Sequence, residues 1–155
     1  MAITDPSGEI EAFLTDAARN YIARAINGEV SIQVVGFSAG RGGYNPADPV
    51  ADVTPVNTAD TALIDQVYPD TTGNAALETP EEPNFSTIVY NCRLAATPIA
   101  DNSDFGLGEI GLWAEVVYAV NPMEIGTVFL YAISHMPVRA KTRRDVQLYR
   151  LVTNY

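Results

Sequence analysis

The chain has 155 residues, 47% of them apolar and 18% charged, with a formal net charge of −10. A chain of this length suits one domain spanning residues 1–155, able to bury roughly 70% of its unfolded surface. The acidic balance excludes a phosphate-binding surface of the nucleic-acid type, and no apolar run approaches the roughly 20 residues of a membrane span. The opening Met1-Ala-Ile-Thr-Asp-Pro6 has no basic region followed by an apolar core, so no signal peptide is expected. Cys92 is the only cysteine; it has no internal disulfide partner and reads as a small core residue in an apolar strand.

Asp5-Pro6 predicts a helix start, since the carboxylate can cap free amides and proline needs no donor at the first helical position. Ile10, Phe13, Leu14, Ala17, Ala18, Tyr21, Ile22, Ala25 and Ile26 then recur at helical spacing, and Asn27-Gly28 ends the run. Residues 32–37 follow as a short strand of β-branched character. Residues 38–49 hold Gly40-Arg-Gly-Gly43 and two prolines and read as an ordered surface loop, lacking the Lys-Ser/Thr ending of a phosphate loop.

Residues 59–68 place Leu63, Ile64, Val67 and Tyr68 on one side and predict a second, short helix ended by Pro69. Residues 70–84, polar and acidic, predict an exposed excursion. Four strands are expected after that, at 85–96, 107–118, 127–135 and 145–152, joined as an antiparallel meander. The expected fold class is therefore α+β: an N-terminal amphipathic helix and a short second helix packed on a mainly antiparallel sheet.

Gly106-x-Gly108-x-x-Gly111 has the spacing of a dinucleotide fingerprint, but that motif follows a strand and opens a helix. Here it follows a polar turn and enters Leu112-Trp-Ala-Glu-Val-Val-Tyr118, a strand sequence, so the glycines read as packing or bulge positions and no cofactor is expected. His135 is the only histidine; with no second histidine and no Gly-x-Ser-x-Gly elbow, neither a metal site nor a catalytic triad is expected, and the ring reads as packed or hydrogen-bonded. Glu109 stands inside an apolar strand and needs a partner if it is buried. Charge is uneven along the chain. Ten acidic residues and one basic residue lie between Asp48 and Asp104, whereas Arg139, Lys141, Arg143, Arg144 and Arg150 cluster late. That basic segment could supply the partner of Glu109. Otherwise it is a solvated hairpin end, or it contacts an acidic surface on a neighbouring copy.

The order of these elements resembles the N-terminal domain of phage tail-collar fibre proteins. The residues that carry the resemblance are Gly43-Tyr-Asn-Pro46, Thr61-Ala-Leu-Ile-Asp-Gln-Val-Tyr68 and Phe105-Gly-Leu-Gly-Glu-Ile-Gly-Leu-Trp113, after an N-terminal helix and before a strand-rich ending. The resemblance spans residues 3 to 152. It implies a non-enzymatic virion part, made in the host cytoplasm, that fixes a tail fibre to a baseplate and usually works as a homotrimer. Its implied partners are sister subunits, baseplate proteins and other fibre proteins. Members of that family continue into a shaft and tip where this chain ends at Tyr155, which leads to the expectation of an adaptor or short fibre. Glu109, Ile110, Leu112 and Trp113 are expected in the core, and Arg139, Lys141, Arg143 and Arg144 at subunit contacts. The rival reading is a glycan-binding module using Tyr44, Tyr68 and Tyr155; a carboxylate-pair glycosidase ranks third.

Overall fold

The computed structural model describes residues 3–4, 9–44, 47, 53–68, 75–84, 87–94, 105–141 and 146–154. Two sheets face one another. The first holds, in order, β1 (Ile3–Thr4), β11 (Val146–Asn154), β8 (Thr87–Leu94) and β6 (Ala75–Leu77), with β2 (Glu9–Glu11) also on β11 and β7 (Glu81–Asn84) also on β8. The second holds β3 (Phe13–Leu14), β10 (Val128–Lys141), β9 (Phe105–Ala119), β4 (Val30–Gly40) and β5 (Gln66–Tyr68). The pairings of β1 and β2 with β11 are parallel and the others antiparallel.

Among the described residues there is one α-helix, α1 (Asp16–Ile26). The α+β expectation, two helices on one sheet, is thereby overturned: the chain is mostly β and forms two sheets. The expected meander also divides, because β8 and β11 pair in the first sheet while β9 and β10 form a hairpin in the second.

The helical spacing of residues 10–26 misleads at its start for a physical reason. Ile10, Ala12 and Leu14 also fit a period of two, with Glu11 and Phe13 exposed between them. The edges of β11 and β10 offer hydrogen bonds to this stretch, so residues 9–14 form β2 and β3 and carry the chain from one sheet to the other. Ala12 N–H donates to the Val152 carbonyl at 2.9 Å and Thr15 N–H to the Tyr131 carbonyl at 3.0 Å. The helix then starts at a different cap. Buried Thr15 accepts from Ala18 N–H at 3.1 Å and donates its hydroxyl to the Leu130 carbonyl at 2.5 Å, which ties the first turn to β10. Asp5 and Pro6, the expected start, lie outside the described residues.

The stretch 59–68 is turn and bend up to residue 65, then strand β5. Leu63 is buried against Leu130 and Ile133, but Ile64 is exposed, so the supposed apolar stripe is not one surface. Within 70–84, residues 70–74 lie outside the described part; Ala75–Leu77 and Glu81–Asn84 pair with β8, and residues 78–82 are exposed.

β9 alternates along its length. Ile110, Leu112, Ala114 and Val116 point into the main core with Phe37, Tyr131, Tyr149 and Leu151. Glu109, Gly111 and Trp113 face the other way, where residues 53–65 lie over the sheet and bury Leu63 on Leu130 and Ile133. α1 closes the core, with Tyr21 stacked on Phe129 at 4.4 Å between ring centroids. Its last turn is held by Arg24, which donates to Glu124 at 2.6 Å and to Glu29 at 3.0 Å.

Because Thr15 caps α1 and also joins it to β10, Thr15→Ala is expected to lower stability by about 1–2 kcal/mol. Thr15→Ser, which keeps the hydroxyl, should lose less than half of that in urea denaturation.

Candidate functional site: a carboxylate held by backbone amides

Glu109 is fully buried at the middle of β9, between Gly40 of β4 and His135 of β10 in the strand register. A carboxylate taken out of water needs either a counter-charge or a full set of donors. The donors here are main-chain amides. Gly42 N–H reaches Oε2 at 2.7 Å, Asp65 N–H reaches Oε2 at 2.9 Å, and Ile64 N–H reaches Oε1 at 2.7 Å. Hydrogen bonds to a charged acceptor contribute roughly 1.5–3 kcal/mol each, and successive amides such as those of residues 64 and 65 form a small anion-binding concavity. The amides of Ile64 and Asp65 point at Glu109 rather than back along the chain, which is why residues 59–65 do not wind into the expected helix.

The basic segment was the expected source of a partner for Glu109, and the donors among the described residues are main-chain amides. Arg139 and Lys141 belong to β10, with Arg139 opposite Leu107 and Lys141 opposite Phe105. Their side chains, and all of Arg143 and Arg144, lie outside the described residues.

The turn at residues 40–44 is shaped by the same carboxylate. A side chain at Gly42 would strike Glu109 Oε2 and, at 2.5 Å, Ile64 Cβ, so only glycine brings this amide within reach. Gly43 has a positive φ of 88° and lies against the imidazole of His135. Its carbonyl accepts from Thr54 N–H at 2.9 Å, and Tyr44 bridges to Val53. Arg41 pairs with Asp65 at 3.1 Å on the surface, and Arg41 N–H donates to the Asp65 carbonyl at 2.9 Å.

The spacing that mimics a dinucleotide fingerprint has a packing role. Gly108 receives the ring of Tyr44, and Gly111 receives Leu63 and Leu130. These contacts use the missing side chains to let residues 42–44 and 63 settle on the sheet. Trp113, next along the same face, is partly buried and donates its indole N–H to buried Ser38 Oγ at 2.7 Å. Ile110 and Leu112 are fully buried on the opposite face.

A shallow apolar pocket of about 390 Å³ lies beside this assembly, lined by Phe13, Val56, Pro55 and His135 among others. His135 Nδ1 lies 2.7 Å from the Thr54 carbonyl, which can only accept, so that nitrogen carries a proton. Its Nε2 is buried and has no protein partner. Two amides bond Oε2 of Glu109 and one bonds Oε1. Among the described residues no group of three or more His, Cys, Asp or Glu side chains is placed to hold a metal ion, and no helix is long and apolar enough to cross a membrane. Cys92 is buried in β8, and burial alone pushes its thiol well above the ordinary range. The arrangement holds the 40–44 and 59–65 segments on the sheet.

Sequence reasoning located Glu109 as a buried carboxylate but missed Gly42, Ile64 and Asp65 as its partners. Backbone donors leave little trace in side-chain identity. The one usable signal was Gly40-Arg-Gly-Gly43, a run whose glycines permit close backbone approach. Comparison with protein-family models, with curated proteins and with solved structures finds no match.

Glu109→Gln replaces one acceptor oxygen by an NH2 group that must face an amide donor. It is expected to cost about 2–4 kcal/mol by chemical denaturation, with Glu109→Asp similarly damaging because the shorter side chain cannot span the three amides. A loss under 0.5 kcal/mol for Glu109→Gln would show that the carboxylate is not what secures the loops. Cys92 should resist iodoacetamide at pH 8 in the folded protein and react fully in denaturant.

Proposed function

We propose that this chain is a structural module of a phage tail, fixing a tail fibre to the baseplate or serving as a short fibre or adaptor. Its work on this reading is assembly with sister copies and with baseplate or fibre proteins, without catalysis. One observation supports it above the others: the three stretches that carry the resemblance to tail-collar fibre proteins meet at a single place. Gly43 and Tyr44, Leu63 to Asp65, and Gly108 to Trp113 are far apart in sequence, yet they join through Tyr44 on Gly108, Leu63 on Gly111 and the Ile64 and Asp65 amides on Glu109.

The glycan-binding alternative draws less support. The ring of Tyr44 lies on Gly108 rather than presenting a free stacking face, while the side chain of Tyr68 and all of Tyr155 lie outside the described residues.

Immunogold labelling of intact virions tests the proposal. Label at the junction of fibre and baseplate is the expected outcome, and virions that carry no label would remove the reading.

A further inference from the structure

Asn27 and Gly28 form the only Asn-Gly pair in the chain, and both are exposed at the end of α1. Asparagine is a thermolabile residue, and a glycine after it puts no side chain in the way of its main-chain nitrogen. The space around Gly28 is open: a Cβ there would have no neighbour within 4 Å. The reaction this pair can undergo is ring closure. The Gly28 nitrogen attacks Cγ of Asn27, so that an N–Cγ bond forms and the Cγ–Nδ2 bond breaks. The side-chain amide leaves as ammonia, taking the Gly28 amide proton with it. Water then opens the succinimide, which gives aspartate or isoaspartate at residue 27.

The folded geometry opposes the first step. Ring closure needs the Gly28 nitrogen turned towards Cβ of Asn27 about the Cα–C bond, whereas a ψ of 4° eclipses it with the nitrogen of Asn27 itself. The Gly28 N–H is also donated to the Ala25 carbonyl at 3.0 Å, and the Glu29 N–H to the Arg24 carbonyl at 3.0 Å. These bonds close the last turn of α1, so the attack requires that turn to open. Contacts from outside the helix resist the opening. Arg24 holds Glu29 and Glu124, and Val120 N–H donates to the Glu29 carbonyl at 2.9 Å. The same contacts join the turn to the hairpin between β9 and β10. A carboxylate created at residue 27 would stand at the negative end of the helix dipole, and an isoaspartyl link would lengthen the main chain between the bonded amides. We propose that Asn27 is a deamidation site gated by opening of the last turn of α1, and that its conversion uncouples this turn from the β9–β10 hairpin. The inference does not rest on the proposed function.

Peptide mapping by mass spectrometry after incubation at pH 8 tests it, comparing the full chain folded, the full chain in guanidinium chloride, and folded Arg24→Gln. In denaturant Asn27 should convert ahead of Asn57, which is exposed but followed by Thr58. In the folded chain its conversion should be at least ~10-fold slower than in denaturant, a ratio that corresponds to about 1.4 kcal/mol of opening free energy. Arg24→Gln should bring the folded rate several-fold closer to the denatured one. A further reading needs no variant: in the converted chain, separated by ion exchange and still folded, the amides of Glu29 and Val120 should exchange with solvent several-fold faster than in the unconverted chain. An Asn27 that stays intact in denaturant overturns the inference, as does equal conversion in the folded and denatured chain. So does a folded Arg24→Gln that converts at the wild-type rate, or a converted chain whose Glu29 and Val120 amides exchange as before.

Discussion

A buried carboxylate held by main-chain amides organises one side of this protein. Glu109 is inserted in a strand whose neighbours are apolar, and its charge is stabilised by the amides of residues 42, 64 and 65. Much of the surrounding geometry follows from that requirement. The turn at 40–44 must bring a main-chain N–H to within 3 Å of the sheet, which excludes a side chain at Gly42. Residues 59–65 must offer two consecutive amides to the same group, which prevents them from forming a helix. Leu63 is then positioned to seal the face over Gly111 and Leu130. Removing either part leaves the other with unsatisfied donors or an uncompensated charge, so the three segments are expected to be present or absent together.

How much of this could be read from the sequence varies by element. Strand β9 and the hairpin it makes with β10 were visible because two strand-forming runs, 107–118 and 127–135, follow one another closely. The core positions Ile110 and Leu112 follow from period-two alternation. The N-terminal stretch deceived because Ile10 and Leu14 fit both periods, and pairing with the edges of β11 and β10 resolved the tie in favour of strand. The division into two sheets was not legible: nothing local says that β8 and β9, adjacent in the chain, belong to opposite layers. The stretch 59–68 failed for a third reason. Its composition suits a helix, but a tertiary acceptor claimed the amides a helix would use. Glu109 itself was legible as a problem and illegible in its solution, because main-chain donors have no sequence code.

The two ends of the second sheet's outer face are treated differently. One end is covered by the chain's own residues 53–65 and secured through Glu109; at the other, Tyr118 and Val128 are exposed.

The central claim is that the amides of Gly42, Ile64 and Asp65 are bound to Glu109 as one cooperative unit. Native-state hydrogen exchange followed by NMR measures those three amides directly. The account predicts that all three exchange far more slowly than the other amides of the 40–44 and 59–65 segments, with opening free energies within about 1 kcal/mol of one another. Exchange of Ile64 and Asp65 at the rate of exposed loop amides, or three unrelated opening energies, would contradict it.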